Sequence, residues 1–182
     1  MTEYERFLRL GVDGEAIGFA PGEEQGGYFC TPLGAHALGW DVEGVHFCRI
    51  DGMGETVFCV NPMPLCGENV RPVARNFRDF LRLMLATGGA AAIAEAGDMT
   101  RAQFAAFVQS KTEMENRLRP AVRQALERIA QGLDLSPMDD PYGYIEALQA
   151  GFDAGALRFS DEYYDAKGLE RPEHGEKRGG RG

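Results

Sequence analysis

No run of apolar residues approaches the roughly 18 that a bilayer-crossing helix needs, so the sequence predicts no transmembrane segment. The N-terminal stretch MTEYERFLRLGVDGE is acidic and its apolar cluster is short. That argues against a secretory signal and makes the cytoplasm the expected compartment. Cysteine is sparse, and Cys30, Cys48, Cys59 and Cys66 form no CxxC pair. A chain of 182 residues has no need of disulfide staples. Cys48 and Cys59 sit in apolar, β-branched surroundings, so free buried thiols are the expectation. Positive charge is also short: 19 Lys and Arg stand against 28 Asp and Glu, a net charge of −9. Such a field repels a phosphate backbone unless a basic patch overrides it. Arg71, Arg75, Arg78 and Arg82 cluster, but Glu68 and Asp79 interrupt them and helical spacing spreads them around an axis. Nucleic acid and membrane are therefore not expected partners. An acidic surface suits a basic protein partner.

Apolar residues make up 44% of the chain, ample for one core. Residues 3–10 read as a short helix with Tyr4, Phe7 and Leu8 on one side. Glycines then break regularity, and APGEEQGG (20–27) reads as a loop. YFCT (28–31) and AHALGW (35–40) are strand-like. The clearest β signal is GVHFCRIDGMGETVFCVNP, where DGMG joins two strand runs, 45–50 and 55–61, into a hairpin. Pairing Ile50 with Glu55 would set Phe47 opposite Phe58 and Val45 opposite Val60. Neither face of this hairpin is strongly polar, which places it inside a sheet. Pro62 and Pro64 stop the second strand. Residues 70–73 suggest a further short strand.

Asn76 then caps a helix whose Phe77, Phe80, Leu81, Met84 and Leu85 follow the spacing of a buried face, with Gly88 at its end. Helical patterns continue. AAAIAEAG ends at Gly97, and Thr100 with Gln103 forms a capping box. Thr112 to Glu115 suggests another. Pro120 interrupts the next helix, and Val122, Leu126 and Ile129 mark one closed by Gly132. Asp140 caps a helix with Pro141 at its first position and Ile145, Leu148 and Phe152 inward. LRFSDEYYD suggests a last strand and a turn of helix. Strands first and helices after, without βαβ alternation, predict an α+β fold: a central, mostly antiparallel sheet with helices packed on it and a helical C-terminal half. The domain is expected over 1–165, with 166–182 a flexible charged tail.

Candidate chemistry is thin. His46 and Cys48 share a strand face, and Cys59 would lie opposite His46 in the expected register. These three could hold zinc, with Cys30, Cys66 or His36 as a fourth ligand, or form a thiol–imidazole pair. The spacing matches no standard zinc motif, and no third group orients the pair, so buried thiols beside a satisfied histidine is the preferred reading. No cofactor or metal is expected. The acid pairs Glu23 and Glu24, Asp41 and Glu43, Asp139 and Asp140, and Asp161 and Glu162 fall at turns and helix starts, where capping or solvation explains them. GMGETV and GEEQGG do not lead from a strand into a helix, as a phosphate cradle requires. Trp40, the sole tryptophan, reads as an anchor under the sheet, with an exposed binding hot spot as the alternative.

The segment GVHFCRIDGMGETVFCVNP…ENVRPVARNFRDFLRLML resembles the C-terminal half of the SUKH superfamily domain. That pattern is a hairpin, a V-x-P-[IV]-A run and x-F-x-[DE]-F-L-x-x-[LM]-L. Here these are residues 45–62, 70–74 and 76–85, within a span of about forty residues. The superfamily's N-terminal LP-x-x-[YF] entry and NGG-like turn have no counterpart, so the likeness is to a divergent member. It implies a core over about 28–110 with a helical extension over 111–165. It also implies a non-enzymatic role: bacterial members of that family are immunity proteins that bind and neutralise toxin domains. The expected activity is therefore protein binding through an acidic surface. Glu23, Glu24, Trp40, Asp41 and Glu43 are the candidate contacts, and a zinc- or thiol-dependent enzyme centred on His46, Cys48 and Cys59 is the alternative.

Overall fold

The computed structural model describes residues 1–22, 27–64 and 67–171. Glu23 and Glu24, Cys66 and the chain beyond Arg171 lie outside the described residues. Helix α1 (Glu3–Leu10) opens on a capping box between Thr2 and Glu5 and closes at Gly11, whose φ of 56° is left-handed. Phe7 is buried and Tyr4 partly so, whereas Leu8 faces solvent, contrary to the expected apolar side. Five strands follow: β1 (Ala20–Pro21), β2 (Ala35–Trp40), β3 (His46–Ile50), β4 (Val57–Val60) and β5 (Val70–Ala74). They form one antiparallel sheet in sequence order, so each strand turns straight back beside its predecessor. Residues 28–31 form a turn and 157–160 are not strand, unlike the sequence expectation.

The β3–β4 hairpin is where expected, but its register is shifted by one residue. Phe47 pairs with Cys59, Cys48 with Phe58, and His46 with Val60. Because side chains alternate, that shift moves every β4 side chain to the opposite face from the one expected. Val45, Phe47, Val57 and Cys59 share one face, with Val73 of β5. Cys48, Ile50, Phe58, Val60 and Val70 join the other. Both faces are covered, which explains why neither face of the hairpin sequence is polar.

Helix α2 (Phe77–Thr87) lies on the first face. Asn76 Oδ1 accepts from the Asp79 N–H at 2.8 Å, and Gly88 ends the helix at φ 85°. Its rings form the centre of the main core: Phe80 lies 4.8 Å from Phe47 and 5.3 Å from Phe19, centroid to centroid. Each such buried side chain contributes about 1.5–3 kcal/mol. The same core takes in residues of α3 (Ala91–Glu95), α4 (Arg101–Val108), α6 (Pro120–Leu133) and α7 (Pro141–Ala150). Helix α5 (Lys111–Leu118) is capped by Ser110, so Thr112 is an interior residue and not the expected cap. Pro120 does separate α5 from α6, as the first residue of the latter. Helix α6 runs past Gly132 to Leu133 and is capped by Asp134, which takes a left-handed φ of 51°.

The edge of β5 is closed by α7. Tyr144 Oη accepts the Arg75 N–H at 2.9 Å and Gln149 donates to the Pro72 carbonyl at 3.2 Å. Pro72 itself has no N–H to offer a neighbouring chain. The second sheet face is covered by Phe152, Leu157, Phe159 and Tyr163, the last on α8 (Asp161–Lys167). Helix α8 extends two residues past 165, where the tail was expected to begin, and Arg171 bonds back to its Asp161 at 3.1 Å and Asp165 at 2.7 Å.

Candidate functional site

The register decides what the hairpin can do. His46 and Cys48 point to one face of the sheet and Cys59 to the other, so the three residues of the zinc or thiol reading do not converge. Cys30 and Cys48 lie on the His46 side, both fully buried. Among the described residues no group of three or more His, Cys, Asp or Glu is placed to hold a metal ion. Burial pushes the Cys48 thiol up to about 12 and raises Cys59 further, which leaves neither as a thiolate near neutral pH.

His46 is satisfied at both nitrogens. Nδ1 donates to the Gly44 carbonyl at 3.2 Å, and Nε2 accepts from the Thr31 hydroxyl at 3.2 Å. The Thr31 oxygen also accepts the Tyr28 N–H at 2.9 Å. Burial lowers the imidazole's pKa, and the bond to Gly44 only partly offsets this. Trp40 stacks on the ring from β2, and Tyr28 flanks both. Trp40 is thus an anchor at the sheet's rim, half-buried, and not a protruding ring. A cavity of about 220 Å³ adjoins this cluster, with Thr31, His36, Trp40, His46 and Cys48 in its wall. His36 is tied to Asp51 at 2.9 Å.

The end of the sheet where β2 turns into β3 has a different character. Asp41 Oδ1 accepts the backbone N–H groups of Glu43 and Val45, each at 2.8 Å, a side-chain turn that stiffens the tip. Between the two acids Val42 is 91% exposed. The β4–β5 connection leaves the sheet at the same end, and its Met63 is 81% exposed. Glu68 on that connection is exposed too. Glu95 closes the group from α3. Its carboxyl is held above the usual range by desolvation first, then by the nearby charges of Asp98, Glu43 and Asp41, against the opposing pull of Arg71. Asp98 in turn bonds Arg71 at 2.6 Å. Two exposed apolar side chains, Val42 and Met63, and the acids Asp41, Glu43, Glu68 and Glu95 therefore lie toward one end of the sheet.

In two of the other acid pairs one member has structural work. Asp140 caps α7 through the Gly143 N–H at 3.0 Å and bonds Arg101 at 2.8 Å, and Asp161 bonds Arg171. The arginines of the 71–82 stretch are dispersed: Arg78 bonds Glu3, Arg82 bonds the Ser136 carbonyl, and Arg75 lies over the Tyr144 ring. They make no basic patch together. Of the candidate contacts, Asp41 and Glu43 sit in the acidic end and Trp40 borders it. Val42, Met63, Glu68 and Glu95 were not anticipated. An apolar residue between two acids at a turn was a visible signal for Val42. The approach of Glu95 is tertiary and leaves none. No family model, curated protein or solved structure matches the chain.

Proposed function

We propose that this chain is a protein-binding module of the immunity type, without catalysis of its own, that neutralises a basic toxin domain through the acidic end of its sheet. The observation that carries this reading is Val42, almost fully exposed between Asp41 and Glu43 on a tip already held rigid by hydrogen bonds. A pre-formed tip loses little freedom on binding. An apolar point inside a charged rim matches the anatomy of a binding surface. The net charge of −9 would steer a basic partner toward it. The desolvated Glu95 among other acids adds to this, because cationic side chains would relieve repulsion that the free protein carries. The resemblance of residues 45–85 to the SUKH domain points the same way.

The test is calorimetric titration of the protein, at low and at high salt, with each purified basic toxin domain that the genes beside its own encode. Tight binding that weakens at least about tenfold as the salt screens the charges is the expected result. No binding, or binding indifferent to salt, would contradict the reading.

A further inference from the structure

Asn69 immediately precedes β5 and is 2% exposed. Its amide nitrogen donates to the carbonyls of Asn61 at 2.9 Å and Pro62 at 3.4 Å. Those two acceptors fix which end of the amide is oxygen. The oxygen, Oδ1, is fully buried and meets no donor among the described residues. A buried acceptor without a donor is destabilising, and proteins rarely carry such groups. Asn69 also forms part of the wall of a cavity of about 10 Å³, together with Asn61, Glu68, Arg71, Asp98 and Gln149. That is room for one water molecule and no larger ligand. The wall offers donors in Arg71 and Gln149 and acceptors in Asn69, Glu68 and Asp98, which meets a water's need for two to four partners. The guanidinium of Arg71 in the same wall weighs against a cation as occupant.

We infer that this cavity is a binding site for a single structural water, which donates a hydrogen to Asn69 Oδ1. The water completes the hydrogen bonding beneath the β4–β5 connection, beside the Arg71–Asp98 ion pair. It is part of the free protein's fold and does not depend on the proposed binding role.

Two measurements test this on the unmodified protein. A high-resolution crystal structure should show one well-ordered water within hydrogen-bond distance of Asn69 Oδ1. In solution, magnetisation transfer should connect a long-lived water to the Asn69 side-chain amide protons. A Gln149→Leu variant, which keeps Asn69 and its two carbonyl acceptors, should weaken or abolish that transfer. A dry cavity, a protein donor on Oδ1, or transfer absent from the wild type would overturn the inference.

Discussion

The indole of Trp40 lies on the imidazole of His46, ring centroids 4.0 Å apart and planes 23° from parallel. Under that lid His46 is 1% exposed, with Nδ1 donating to Gly44 and Nε2 accepting from Thr31. A neutral ring satisfies both bonds, whereas a protonated one would force Thr31 to give up its donated hydrogen.

The consequence is a pH dependence of known sign. The pKa of His46 is lower in the folded chain than when unfolded, so the unfolded state binds the proton first. Stability is whole above about pH 6.5 and falls as pH drops from there toward the folded pKa, below which no more is lost. Glu95, whose pKa is raised, acts in the opposite sense, since its protonation favours the folded state. Comparison with His46→Gln separates the two. Urea midpoints between pH 7.5 and 5.5 should fall more steeply in the wild type than in the variant. Parallel curves would show that His46 is not buried as described.

Cys30, Cys48 and Cys59 are all buried, and burial raises all three thiol pKa values. In a Cys66→Ser background, a disulfide reagent added at neutral pH should modify no thiol of the folded protein on the timescale of minutes and three in urea. Rapid reaction of one thiol in the folded state would mean that a strand face is open.

The Arg71–Asp98 bond joins β5 to the turn after α3, and the Asp98 side chain is 4% exposed. Asp98→Asn keeps the shape and removes the charge, and should destabilise by about 3 kcal/mol. Gly97→Ala tests the same contact by shape, because a β-carbon there would collide with the Arg71 side chain. It should cost about 1–3 kcal/mol. Chemical denaturation reads both. A loss below about 0.5 kcal/mol in each would show that the ion pair contributes nothing.

The fold class was legible in residues whose local chemistry decides their role. Asn76 and Gly88 bound a helix by capping, Phe77, Phe80 and Leu81 mark its buried face, and the paired runs around DGMG make a hairpin. The register was not legible. Both faces of β3 and β4 are apolar, so a slip of one residue exchanges one buried set for another and leaves no mark in the pattern. That slip is what parts Cys59 from His46 and Cys48. The acidic end was half visible, in Asp41 and Glu43, because a turn is local. Glu95 and Met63 reach it only through packing, from an alanine-rich helix and a proline-rich connection.

The direct test of the proposed binding surface is the affinity of Asp41→Asn/Glu43→Lys for a basic toxin domain that binds the wild type, measured beside Glu127→Lys as a control on the exposed face of α6. Asn at position 41 can still accept the two turn hydrogen bonds, so the tip keeps its shape while its charge is lost. Affinity should fall at least about tenfold for the double variant and stay near the wild-type value for the control. Equal affinity for all three proteins at low salt would contradict the account.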